Sequence, residues 1–161
     1  MKRHIFLMAV IYAMSLLLAN SVYAHCEIPC GIYNDKLRCS MIEEHIKTIE
    51  KSMTMINDLS KEGSINYNQL VRWINNKEEH ANEIQHIVSQ YFMTQRVKPV
   101  DNQSIDDYKK YIKKLSLLHE MLIYAMKAKQ KTDMDNCKKL SSLLTDFKAV
   151  YFGPEDHKHE H

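Results

Sequence analysis

From Ile42 the chain repeats apolar residues at alternating steps of four and three. Ile42, Ile46, Ile49, Met53 and Ile56 form the stripe of an amphipathic helix predicted over about Lys36 to Lys61. Gly63 and Ser64 end it. A second stripe, Leu70, Trp73, Ile74, Ala81, Ile84, Val88 and Tyr91, predicts a long helix to about Arg96, where Pro99 and the polar run Asp101-Asn102-Gln103 interrupt. Ser104-Ile105-Asp106-Asp107 has the form of a capping arrangement with Asp in place of Glu. Behind it Ile105, Tyr108, Ile112, Leu115, Leu122 and Met126 carry a third helix to about Lys131. Thr132-Asp133 starts a fourth, with Cys137, Leu140, Leu144, Phe147 and Tyr151 as its stripe and Gly153-Pro154 as its stop.

Four helices joined by short connections predict an all-α fold, an antiparallel up-down-up-down four-helix bundle over 36–152. Composition agrees, since three Gly and three Pro in 161 residues leave little material for a turn-rich β fold. In an up-down-up-down bundle Cys39 and Cys137 begin helices one and four and fall at opposite ends of a rod roughly 30 Å long. A disulfide needs Cα atoms within about 7 Å, so these two are expected to be buried free thiols.

The first segment departs from this pattern. Lys2-Arg3 precedes an apolar run from Ile5 to Leu18 broken only by Ser15, and then Val22-Tyr23-Ala24. That is a basic n-region, an h-region and a small-residue cleavage site, so 1–24 is expected to be a cleaved secretory signal peptide. The rival is a membrane anchor, but the run falls short of the ~20 apolar residues a bilayer core requires. The protein is therefore expected to be exported, periplasmic or secreted, with no membrane association after cleavage. Of the 22 basic and 20 acidic residues, only Lys2 and Arg3 lie in this leader, so the remainder balances at 20 and 20 and asks for no nucleic acid.

Cleavage after Ala24 makes His25 the mature N-terminus and brings the candidate chemistry into view. His25-Cys26-Glu27-Ile28-Pro29-Cys30 offers a terminal amine, an imidazole, the backbone nitrogen of Cys26 and two thiolates within six residues. Thiolates and a deprotonated amide are strong-field donors that favour a planar arrangement, which suits Ni(II) or Cu(II) better than tetrahedral Zn(II). Anionic sulfur and amide donors also lower the potential for oxidation to Ni(III), which makes a one-electron cycle accessible. An imidazole on the first residue can reach an axial position. Pro29 bends the chain ahead of Cys30, and Gly31 permits a close turn out of this hook, 25–35.

His-Cys-x-x-Pro-Cys-Gly-x-Tyr at a processed N-terminus resembles the metal hook of the nickel superoxide dismutases. The stretch Asn76-Lys77-Glu78-Glu79-His80 through Tyr91-Phe92 is also similar to that family, while helices three and four match by pattern more than by motif. The resemblance implies one nickel ion per subunit, bound by His25, Cys26 and Cys30, with Tyr33 beside the open face ordering the approach of superoxide or water. It implies dismutation of superoxide to dioxygen and hydrogen peroxide through a Ni(II)/Ni(III) cycle. It further implies a homohexamer, a carboxylate supporting the His25 imidazole, for which Glu43 and Glu44 both stand, and a second tyrosine, for which Tyr91 is the better choice.

Two other classes compete. A non-catalytic helical nickel- or copper-binding or delivery protein would explain the hook and the His-rich tail 153–161, which is otherwise expected to be a disordered end. A thiol-redox protein using Cys26 and Cys30 would explain the cysteines, but their spacing differs from Cys-x-x-Cys and no βαβ pattern surrounds them. His45, His80, His86 and His119 are read as polar-face or interface histidines that form no single close pair-and-carboxylate set. Met53, Met121 and Met126 read as core. Lys109-Lys110 and Lys113-Lys114 read as a solvated helix face, with some capacity to steer an anionic substrate.

Overall fold

A computed structural model of the chain describes residues 4, 31–61, 63–100 and 104–153. The chain divides into two compact units, Met1–Gly31 and Ile32–His161, and apart from His4 and Gly31 the described residues belong to the second. That unit is all-helical among the described residues: α1 Asp35–Leu59, α2 Tyr67–His86 continued by a π-helical segment Ile87–Arg96, α3 Ile105–Gln130 and α4 Asp135–Phe152. α1 packs on α2 and α4, and α3 packs on α2 and α4, which closes a four-membered ring of neighbours.

Cross-helix hydrogen bonds fix the directions. Asn57 near the end of α1 donates to the carbonyl of Thr132 ahead of α4, and Tyr151 at the end of α4 reaches Asp35 at the start of α1. Lys77, midway along α2, meets the end of α3, and Gln85, further along, donates to the carbonyl of Leu122, earlier in α3, at 3.2 Å. Each neighbour is antiparallel, as the short connections require.

The helix starts are chosen by side-chain caps. Asn34 Oδ1 accepts from the N–H of Leu37 at 3.0 Å, Asn66 Oδ1 from Gln69 at 3.2 Å, and Ser104 Oγ from Asp107 at 3.3 Å. At the other end of α3, Lys77 is nearly fully buried and donates to the carbonyls of Ala128 and Lys129, two acceptors the helix terminus leaves unpaired.

The expected core positions of α1, α4 and the second half of α2 are buried: Ile42, Ile46, Ile49 and Met53 face Ala81, Ile84 and Val88, with Leu140, Leu144 and Phe147 behind. Cys39 and Cys137 are buried free thiols, and Cys137 lies against Met53 rather than Cys39. The third stripe differs. Ile105, Tyr108, Ile112 and Met126 are exposed, and α3 instead buries Leu117, Leu118, Met121, Ala125 and Ala128. α3 carries two apolar faces, and the one that interdigitates with α2 and α4 is the face with small residues at Ala125 and Ala128, which let the helices approach.

The π-helical segment is a further departure. Val97 N–H bonds the carbonyl of Phe92, five residues back, at 2.8 Å, and Thr94 Oγ1 donates to Ser89 O while Gln95 Nε2 donates to Gln90 O. The last two turns of the predicted second helix are therefore wider than α.

Candidate functional site

Gly31 stands at φ +78°, a conformation side chains disfavour, consistent with a close turn ahead of Tyr33. Asn34 then caps α1 and puts Asp35 in its first turn, so a tyrosine and a carboxylate are anchored within two residues of each other.

Asp35 is the centre of the end of the bundle where α1 begins and α4 ends. Its Oδ1 accepts from Tyr91 OH at 2.6 Å and Arg96 Nε at 2.8 Å, and its Oδ2 accepts from Arg96 Nη2 and Tyr151 OH, both at 2.8 Å. Two donors per oxygen saturate the carboxylate. Burial pushes the Asp35 carboxyl up, but the bonds from Arg96, Tyr91 and Tyr151 outweigh it and hold the group below its ordinary range. Burial and the Asp35 charge together push the Tyr91 phenol up to about 12, and the same causes raise Tyr151. Both phenols remain protonated donors at neutral pH.

Tyr33 is ordered by this network without bonding to it. The Arg96 guanidinium lies 4.3 Å from the Tyr33 ring centroid, and the Tyr91 ring meets Tyr33 edge-on at 5.9 Å. Arg38 covers the Tyr91 ring from 5.1 Å. Tyr33 remains 39% exposed, and among the described residues its hydroxyl has no hydrogen-bond partner, so it can meet a small solute.

The π-helical segment creates this convergence. Tyr91 and Arg96 are five apart, which on an α-helix separates them by about 140°, whereas π winding brings residues five apart close to one side. Arg96 carried no sequence signal as a site residue for that reason, and Asp35, whose partners lie 56 or more positions away, carried none because its signal is not local. Tyr91 is where the second tyrosine was sought. Glu43 is paired with Lys47 at 2.9 Å on the exposed face of α1, and Glu44 is exposed; the His25 imidazole that either would support lies outside the described residues.

The helical histidines form no pair-and-carboxylate set among the described residues, but two of them meet across helices. His45 on α1 and His80 on α2 face each other with Nδ1 atoms 2.7 Å apart. No carboxylate completes them: among the described residues no group of three or more His, Cys, Asp and Glu side chains could hold a metal ion. The remaining thiols are also unsuited, since burial pushes Cys39 up to about 12 and Cys137 up to about 11. The three ligands expected in the hook, His25, Cys26 and Cys30, lie outside the described residues, as do the leader apart from His4 and the tail beyond Gly153.

The sequence model of nickel-containing superoxide dismutases matches residues 20–154, which takes in the hook and all four helices. The chain belongs to that family. It is a nickel-dependent oxidoreductase that converts superoxide to dioxygen and hydrogen peroxide. No curated protein and no solved structure matches it. Nothing in the described bundle favours the delivery or thiol-redox alternatives; Cys39 and Cys137 are buried free thiols, and Cys26 and Cys30, on which the thiol reading rests, lie outside the described residues.

Proposed function

We propose that the dismutase centre forms at the processed N-terminus, with His25, Cys26 and Cys30 as the nickel ligands through the terminal amine, the imidazole, the Cys26 amide nitrogen and two thiolates. The observation that carries this reading is the distribution of donors. The family requires nickel, the described bundle contains no cluster able to hold it, and 25–30 concentrates sulfur, imidazole and amine donors of the kind nickel accepts. Bound there, nickel supplies a one-electron couple between Ni(II) and Ni(III).

The protein's own groups do the rest. Two superoxide ions and two protons yield one dioxygen and one hydrogen peroxide, so the site must admit an anion and deliver protons. Tyr33 is the residue we assign to ordering that approach. Tyr91 and Tyr151 hold their protons against Asp35, whereas the Tyr33 hydroxyl is uncommitted among the described residues and sits beside the fixed positive charge of Arg96.

Removal of 1–24, export to a periplasm or the medium, and assembly as a homohexamer complete the reading. The n-, h- and cleavage-region pattern of the leader supports export. Two exposed apolar patches on the bundle, described below, support assembly. Among the described residues no helix is long and apolar enough to cross a membrane.

The test compares protein beginning at His25 with the same protein carrying one extra Ala before it. The His25 form is expected to bind about one nickel per chain and to dismutate superoxide, and the extended form to do neither, because its amine and Cys26 amide no longer share one chelate. Equal nickel content and activity in the two forms would overturn the assignment.

A further inference from the structure

Arg96 faces in two directions. One edge of its guanidinium grips Asp35 and covers Tyr33, while the residue also lines a groove of about 260 Å³ between the π-helical segment and the first half of α3. Lys98, Lys110 and Lys114 share that groove, against a single acid among the described residues, Asp107.

Several surface lysines are neutralised on their own helix, and these three are not. Lys47, Lys109 and Lys138 each take a carboxylate three or four positions away on their own helix. Lys98, Lys110 and Lys114 have no carboxylate within 4.0 Å among the described residues, Asp107 included. Lys110 and Lys114 stand one turn apart, where like charges repel. Burial, with Lys110 adding to it, holds Lys114 below its ordinary range, so this ammonium is already partly stripped of water. Its Nζ lies 5.2 Å over the ring of Tyr151, whose hydroxyl donates to the same Asp35 carboxylate that holds Arg96. A concentration of unneutralised, partly desolvated positive charge is thereby connected through rigid aromatic packing to the exposed ring of Tyr33.

We propose that this groove is a binding site for small inorganic anions, which captures superoxide at the protein surface and hands it to the Arg96–Tyr33 end of the bundle. A cleft lined by one sign of charge raises the local concentration of an opposite ion and its encounter rate, and salt weakens the effect. The delivery half of the proposal rests on the dismutase reading. The binding half does not.

The experiment therefore has two arms. Lys98 and Lys110 are both exposed, so the variant K98Q/K110Q removes groove charge without disturbing the core. K47Q/K61Q removes the same net charge from exposed positions on and just past α1. In metal-free protein, chloride is the probe, read by ³⁵Cl line broadening. Wild type and K47Q/K61Q are expected to broaden the signal equally and K98Q/K110Q to lose most of it, and equal broadening in all three overturns the site. In nickel-loaded protein, the second-order rate with superoxide is followed by pulse radiolysis from about 10 to about 200 mM salt. K98Q/K110Q is expected to react about threefold more slowly at low salt, with a flatter salt dependence and unchanged nickel content, whereas K47Q/K61Q tracks wild type. A K98Q/K110Q rate and salt slope equal to wild type overturns delivery. Inactive nickel-loaded wild type would count against the dismutase centre and leave the chloride result to decide the groove.

Discussion

Asp35 carries more of the site than any other described residue. Its four accepted bonds include two from a guanidinium, and bonds to charged groups contribute about 1.5–3 kcal/mol each before competing costs. Asp35→Asn leaves Arg96 without its countercharge and is expected to lower stability by about 2 kcal/mol, read as a shift in urea midpoint at unchanged slope. The sign of the pH effect follows from the depressed carboxyl. Above the unfolded value near 3.8 the ionised form contributes its full stabilisation, and this is lost as pH falls through the lower folded value. Wild type is thus expected to lose stability on acidification below about pH 4 by an increment that Asp35→Asn lacks. Identical acid profiles would show that Asp35 titrates alike in the folded and unfolded protein and that the network does not hold its carboxyl down.

At the level of elements, the contact between α1 and α2 contains a titratable seam. The two facing Nδ1 atoms of His45 and His80 can share one proton only if one ring donates and the other accepts. His45 Nε2 is buried with no partner, so the favourable arrangement has His45 donating from Nδ1 and leaving Nε2 as a bare acceptor. Adding a proton to His45 places an unsatisfied N–H in that buried spot. Burial first, then His80, holds the imidazole below its ordinary value, against the opposing pull of Glu83 and Glu44. The folded state therefore prefers neutral His45, whose contribution is complete above the unfolded value near 6.5 and declines as pH falls below it. Wild type is expected to unfold at lower urea at pH 5.5 than at pH 7.5, and His45→Leu to show a smaller difference between the two. An undiminished difference would place the titration elsewhere.

At the level of the whole molecule, two apolar patches remain uncovered. Tyr67, Val71 and Ile74 are exposed on the first half of α2, and Ile105, Tyr108 and Ile112 on the first half of α3. Because Lys77 reaches the end of α3, the start of α2 and the start of α3 lie at opposite ends of the bundle. Two separate patches per subunit suit an assembly larger than a two-fold dimer, since a ring joins two different patches and a two-fold dimer uses one self-complementary patch. Ile105→Lys with Ile112→Lys is expected to reduce the assembly to smaller species by light scattering while helix content is kept. An unchanged mass would exclude this face from the interface.

The sequence by itself determined four helices, their order, their antiparallel sense, the placement of Cys39 and Cys137 as separate buried thiols, and the family. Apolar periodicity, caps and a dense donor motif are local signals, written in residues a few positions apart. Tertiary structure alone decided which of two apolar faces α3 buries, because only packing against α2 and α4 discriminates between stripes of similar hydropathy. It also decided that His45 meets His80 across a helix pair. The convergence of Tyr33, Asp35, Tyr91, Arg96 and Tyr151 was invisible for a stricter reason: α periodicity puts Tyr91 and Arg96 on different sides of a helix, and only the π winding of Ile87–Arg96 turns both toward one carboxylate.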